Sequence, residues 1–236
     1  MSVSINRAAN FFTLTGPAGA GIQPAVRIMS KKILRLHIVG DSISIGYGRY
    51  LEKYIDSSRF IYSRKEGIDE ACLNLDIPKG ANGGDSSMVK FYLEYLAEKN
   101  YECDCLLVNC GLHDIKFDLA AQKLQVSPEQ YRKNLLGIIA ISKKIADSFI
   151  WITTTPSDET VHNTPDKTFF RYDKDNEMYR QIARKTAEEN SVALIDLYRF
   201  TRNLGGKEIF SDHVHFQENI RALQAAFIAG WLENYP

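Results

Sequence analysis

The sequence predicts an α/β protein, a three-layer α/β/α sandwich built on a five-stranded parallel sheet of flavodoxin-like order. Three observations carry that expectation. Apolar runs with the length of strands recur near residues 34–39, 60–63, 103–109, 149–154 and 192–197. Segments of helical period separate most of them, and strands joined through helices pair in parallel by right-handed crossovers. The length, 236 residues of which 44% are hydrophobic, suits one large core, and no linker-like stretch divides it.

Residues 1–28 read as a loose N-terminal extension and 29–236 as the domain. The extension is rich in small residues and lacks helical or strand period. Its GPAGAG segment, Gly16 to Gly21, has neither the Lys-Ser/Thr of a phosphate loop nor a preceding strand. No compact apolar run follows a basic start, so a secretory signal is a poor match. Met29-Ser30-Lys31-Lys32 then leads into the first strand, Leu34 to Val39, which breaks abruptly at Gly40-Asp41-Ser42.

A helix is expected from about Gly46 to Ile55, with Tyr47, Tyr50, Leu51 and Tyr54 on one face. A short strand near Phe60 to Ser63 leads into an irregular stretch. Asn82-Gly83-Gly84-Asp85-Ser86-Ser87 closes that stretch with an Asp/Ser helix start, and the helix runs to about Asn100. Cys103 to Asn109 is a buried strand that stops at Gly111. Ser127-Pro128-Glu129 opens a helix with Pro at its first position, reaching about Ala146. A strand over Phe149 to Thr154, a helix over Tyr172 to Asn190, a strand over Val192 to Leu197 and a helix over Phe216 to Asn234 complete the order.

Composition removes several function classes. Lys plus Arg and Asp plus Glu number 29 each, so no basic field exists for nucleic acid, and no basic stripe carries interleaved aromatics. No apolar run approaches the roughly 20 residues of a membrane span. The four cysteines, Cys72, Cys103, Cys105 and Cys110, match neither a zinc nor a disulfide framework. Buried reduced thiols fit better, which favours a reducing compartment and a cytoplasmic location.

Small or polar clusters stand near the carboxyl ends of the strands, where open α/β sheets bind ligands. They are Gly40-Asp41-Ser42, Gly83-Gly84-Asp85, Gly111-Leu112-His113-Asp114 and Ser211-Asp212-His213-Val214-His215. Ser42 at such a rim is a candidate nucleophile, although a Ser there also caps helices. Asp212 and His215 are about one helical turn apart, so the carboxylate can reach the imidazole. A Ser, a His and an orienting Asp supply a nucleophile, a general base and its positioner. His213 turns away from that pair, His37 reads as a core-edge histidine, and His162 as a loop residue.

Taken in order, these motifs make the chain resemble the SGNH (GDSL-type) hydrolases, a family of serine esterases, lipases and carbohydrate deacetylases. The resemblance runs from Val39 to Phe216. It implies Ser42 as nucleophile, Asp212 as orienting acid and His215 as base. It implies an oxyanion hole from the N–H groups of Ser42 and Gly84 with the side chain of His113. His113 departs from the family, whose third motif is Gly-x-Asn-Asp; a neutral imidazole still offers one N–H. Asp114 is expected to brace its loop and Asp41 to shape its turn. No metal or cofactor is implied.

The expected activity is therefore hydrolysis of a small-molecule carboxylic ester, with an acylated sugar of small acyl group favoured, since no lipid-sized groove is legible. Pro156 to Arg171 is a long polar stretch expected to shape the pocket, with Phe169, Phe170 and Tyr172 as floor candidates. Two alternatives stand. One is a catalytically weak binding module of the same fold for carbohydrate. The other is a flavodoxin-like nucleotide-binding module, for which Gly46-Tyr47-Gly48-Arg49-Tyr50-Leu51 is only a partial fingerprint. No G-x-S-x-G elbow is present.

Overall fold

In the computed structural model the described residues are 32–235, so the expected loose extension over 1–28 lies outside them. The chain runs β1 (Leu34–Val39), α1 (Ser42–Tyr54), β2 (Phe60–Arg64), α2 (Ile68–Leu73), α3 (Ser86–Glu98), β3 (Cys103–Val108), β4 (Phe117–Asp118) and β5 (Lys123–Leu124). It continues through α4 (Pro128–Ile145), β6 (Ala146–Ile152), α5 (Glu159–His162), β7 (Phe169–Phe170), α6 (Asp173–Glu189), β8 (Ala193–Ile195), α7 (Leu197–Arg202) and α8 (Glu218–Glu233).

Five of these strands pair in parallel in the order β2-β1-β3-β6-β8, the flavodoxin-like order expected. All six residues of β3 are buried, as a strand covered by helices on both faces requires. α1 packs on α8 and α7 on α8, forming one layer; α3 packs on α4 and α4 on α6, forming the other. The helices bury stripes at helical spacing: Ile43, Tyr47 and Leu51 on α1, and Val89, Leu93 and Leu96 on α3. This order reverses between β1 and β3, so the crevice beyond their carboxyl ends lies at the switch point. The Gly40-Asp41-Ser42 and Gly111-Leu112-His113-Asp114 turns stand there.

α1 begins four residues earlier than expected, at Ser42. A reading that discounts Gly46 and Gly48 as helix formers starts late. The local chemistry decides otherwise, because Asp41 caps the helix through Ile43 N–H at 3.0 Å and accepts from Ser44 Oγ at 2.7 Å. Ser42 is thus the first helical residue and Asp41 the cap. Four elements were not expected from the sequence: α2, α5, α7 and a small antiparallel sheet of order β5-β4-β7. Two-residue strands carry no period to read. The expectation of buried thiols holds for Cys103, Cys105 and Cys110, while Cys72 is exposed on α2, outside the main sheet. Among the described residues no helix is long and apolar enough to cross a membrane.

Candidate active site

Ser42, His215 and Asp212 form one continuous hydrogen-bonded row. β1 delivers Ser42 to the rim through a two-residue turn that only a glycine allows at position 40. A Cβ there would stand 1.9 Å from Asn109 Oδ1. That amide crosses Gly40 to donate to Asp41 Oδ1 at 2.9 Å and receives Tyr47 O–H at 3.4 Å, tying the end of β3 to the Ser42 turn.

His215 arrives on a short excursion pinched at its base by an antiparallel bridge between Phe210 and Phe216, with Ser211 N–H donating to His215 O at 2.9 Å. Within it Asp212 Oδ1 accepts the backbone N–H groups of Val214 at 2.9 Å and His215 at 2.8 Å. Its other oxygen, Oδ2, lies 2.7 Å from His215 Nδ1, and His215 Nε2 lies 2.8 Å from Ser42 Oγ. The carboxylate selects the tautomer with the proton on Nδ1, leaving the Nε2 lone pair for the Ser42 hydroxyl. Burial alone would raise the Asp212 carboxyl, but the bonds from the His215 ring and the two N–H groups outweigh it and hold it well below the usual range. Ser42 and His215 are each only 5% exposed, so the row faces little bulk water.

The opposite wall is built by the other two motifs. Asp114 is fully buried and turned toward α3, where both its oxygens accept Ser86 N–H at 3.0 Å and one also accepts Ser86 O–H. Burial pushes this carboxyl up to about 7 against those bonds. Asp114 therefore braces the loop and does not touch His113. The His113 ring is buried and its Nδ1 has no hydrogen-bond partner among the described residues. Burial, then the charges of Lys116, Arg171 and His215, hold it well below the ordinary histidine value, so it is neutral near pH 7.

Gly84 sits at φ +70°, where a Cβ would stand 2.6 Å from Met88 Sδ. Its N–H, expected as a free oxyanion donor, already donates to Asn82 Oδ1 at 3.1 Å. The cause is local: an Asn side chain turns back on the N–H two residues later. Gly83 N–H is also taken, by Gly40 O at 2.8 Å. The Ser42 N–H, by contrast, is one of the first-turn groups that a helix leaves without an intrahelical acceptor.

His213, expected to turn away from the row, keeps Nδ1 3.7 Å from Asp212 Oδ1 and carries its Nε2 into a second cluster. It stacks on His162 at 4.1 Å between ring centroids and lies 2.9 Å from a terminal nitrogen of Arg171. His162 is buried on α5, not exposed on a loop. His37 lies in β1 against Ser63 Oγ at 2.9 Å. Arg171, Asn109 and Asn82 are site residues that sequence reasoning missed. Asn109, the polar residue closing an otherwise apolar strand run, had a legible signal. An apolar groove of about 460 Å³ also opens beside Gly83, lined by Pro78, Met88, Phe91, Tyr92 and Tyr95. No such groove was legible in the sequence. Met88, Phe91 and Tyr95 form a second, outward stripe on α3, which a search for core residues passes over. Among the described residues no group of three or more His, Cys, Asp or Glu is arranged to hold a metal ion.

No family model and no curated protein matches the sequence. Solved structures do match in shape. A member of the lipolytic G-D-S-L family from Veillonella parvula superposes with a TM-score of 0.59 at 18% identity, covering 85% of this chain and 99% of that one. The fold is that of the GDSL lipolytic proteins. A lipase/acylhydrolase from Enterococcus faecalis gives 0.58 at 17% identity, over 85% and 96% of the two chains. An acetylxylan esterase from Geobacillus stearothermophilus gives 0.60 at 14% identity, over 88% and 97%. This GDSL fold places the rim of the parallel sheet, and with it the Ser42 row, at the mouth of the switch-point crevice.

Proposed function

We propose that the chain is a serine hydrolase of carboxylic esters, working through Ser42, His215 and Asp212. The observation that carries the reading is the unbroken row from Ser42 Oγ through both nitrogens of His215 to Asp212, at 2.8 and 2.7 Å. In this reading Ser42 Oγ attacks the acyl carbonyl while His215 Nε2 takes its proton. The proton then passes to the leaving alcohol, and water repeats the sequence to release the acid. Asp212, strongly held as the anion, stabilises the imidazolium and does not itself become protonated.

The oxyanion forms at the N-terminus of α1, whose unpaired N–H groups and dipole favour negative charge. Ser42 N–H is one donor and His113 the second. A sealed nitrogen with no acceptor nearby carries a lone pair at less cost than a proton, so the His113 proton belongs on Nε2. Gly84 N–H joins them only by sharing its hydrogen with Asn82.

For the substrate, an acylated sugar is the favoured class, supported by the likeness in fold to an acetylxylan esterase. The apolar groove beside Gly83 favours a second reading, an ester with a longer acyl chain. Aryl esters of graded acyl length, hydrolysed by the parent and by Ser42→Ala, test both. Activity is expected to vanish in Ser42→Ala with folding intact, because the hydroxyl contributes little packing. Parent-like hydrolysis by Ser42→Ala would remove Ser42 as nucleophile.

A further inference from the structure

Beyond His213, two cations converge without a counter-ion. Arg171 is 1% exposed, a state in which arginine is almost always paired with a carboxylate. Here its Nε donates to Leu112 O at 2.9 Å and one terminal nitrogen to His213 Nε2 at 2.9 Å. Both partners are neutral. The other terminal nitrogen has no partner among the described residues. Lys116 approaches from the turn after Asp114, with Nζ 3.4 Å from the backbone oxygen of Asp76. The two charges share one aromatic ring: the Phe169 centroid is 4.8 Å from Lys116 Nζ and 5.1 Å from the Arg171 guanidinium carbon.

Like charges held together in a half-dry site repel, and the energetics register it. Burial first, then Arg171, pushes Lys116 down to about 8, and burial pushes Arg171 down to about 10. Among the described residues neither cation has a carboxylate within the 4.0 Å of an ion pair, whereas thirteen lysine or arginine pairs of that kind occur there, most of them on the surface. The carboxylate that acts most strongly on Arg171 is Asp76, on the exposed segment between α2 and α3, and it stands 3.8 Å from His213 Nε2. Asp41 and Asp212 act more weakly and are already bound to Asn109 and His215. The polar atoms around the pair are also unsatisfied: both ring nitrogens of His162 and Nδ1 of His113 are sealed without partners. A merely bracing Arg171 would account for its bonds to Leu112 and His213. It would not account for a second cation beside it.

We propose that Arg171 and Lys116 form an anion subsite, one histidine removed from the Ser42–His215 pair, which takes a carboxylate carried by the ester substrate away from its scissile bond. The proposal rests on the ester-hydrolase reading and narrows it to acidic esters. The bound carboxylate meets a buried arginine and a half-buried lysine, where charge-assisted bonds are stronger than in open water. It takes the place of the Asp76 charge, which the exposed segment can carry outward.

The test uses a matched pair of probes, 3-acetoxybenzoate and its neutral amide, 3-acetoxybenzamide, each corrected for its rate with hydroxide. The parent should favour the anion by about tenfold in kcat/KM, chiefly through KM, and salt should erode the preference. Lys116→Gln and Arg171→Gln should each lower the ratio toward one, and Asp76→Asn should raise it by removing a competing charge. A purely structural role for these residues would not move that ratio in opposite directions. Lys116 is partly exposed, so its variant keeps the test alive if Arg171→Gln does not fold. A parent ratio at or below one, or a ratio unchanged by Lys116→Gln, would overturn the subsite. If neither probe is hydrolysed by any form, the ester-hydrolase reading fails on its own account. Calorimetry with Ser42→Ala then decides the subsite. Tighter binding of the anion than the amide, lost in Lys116→Gln, supports it, and equal binding or none by both overturns it.

Discussion

His215 and His213 are two residues apart and each has Nδ1 near a different oxygen of Asp212, yet their surroundings differ in kind. On the His215 side every side-chain nitrogen and oxygen of the Ser42–His215–Asp212 row has a partner. On the His213 side both nitrogens of His162 and one of His113 have none, and two cations lack a carboxylate within ion-pair distance. A saturated row is already organised for chemistry and needs only a reacting carbonyl at its open end. An unsaturated cluster is costly in the free protein, since each buried polar group without a partner forfeits about 1–3 kcal/mol. A molecule that brings an anion would relieve the part of that cost carried by the two cations. One side reads as reaction machinery and the other as recognition.

The largest effect should come from breaking the saturated side. His215→Gln removes the base and is expected to cut kcat by at least about 10⁴, whereas His213→Gln should cost about tenfold or less, mainly in KM. Comparable losses in kcat from the two, with stability matched, would erase the distinction drawn between them. Next in size is His113, which borders both sides. His113→Ala should lose about 10² to 10³ in kcat with little change in KM, and His113→Asn much less, because the amide restores a donor. Equal activity in His113→Ala and the parent would leave the oxyanion to backbone N–H groups alone.

Stability tests come third. Gly40→Ala drives a methyl into Asn109 Oδ1 at 1.9 Å and should lower Tm by roughly 5–10 °C, with activity lost as Asp41 and Ser42 shift. A Tm equal to the parent's would mean that Asn109 moves aside freely. The smallest effect belongs to the unsaturated side. Burial, then neighbouring positive charge, pushes His162 and His213 down to about 4. Their folded values lie below the unfolded one, so the stability they contribute is present above about pH 6.5 and drains away as pH falls toward 4. His162→Phe keeps the stack on His213 without an ionisable ring. Its Tm should exceed the parent's at pH 7.5, because two unpartnered ring nitrogens are gone, and by a few degrees more at pH 5. An equal difference at both pH values would show that His162 titration plays no part.

The contrast also explains what could be read in advance. Strand order and helix layers follow from periodic patterns over six or more residues, and those patterns are plain in this chain. Ser42, Asp212 and His215 stood out because each motif is local: a turn after a strand, and a carboxylate three residues before a histidine. Arg171 and Lys116 did not. Their meeting depends on β4 and β7, two-residue strands with no period, and on Phe169 placed under both charges. The expectation that Pro156 to Arg171 shapes the pocket had the right segment without its chemistry, since a run of polar residues does not say which one turns inward. Gly84 shows the reverse case. Its place in the motif was legible, but Asn82 claims its N–H through a turn that no alignment of motifs discloses.

The central claim is that Ser42 is a nucleophile activated by His215. Intact-protein mass spectrometry after incubation with a fluorophosphonate tests it most directly, because the adduct forms on the attacking oxygen whatever the natural substrate is. The expected result is one phosphonyl group per chain, mapped to Ser42, absent from Ser42→Ala and formed far more slowly in His215→Gln. A parent protein that stays unmodified, or that carries the adduct on another residue, would contradict the account.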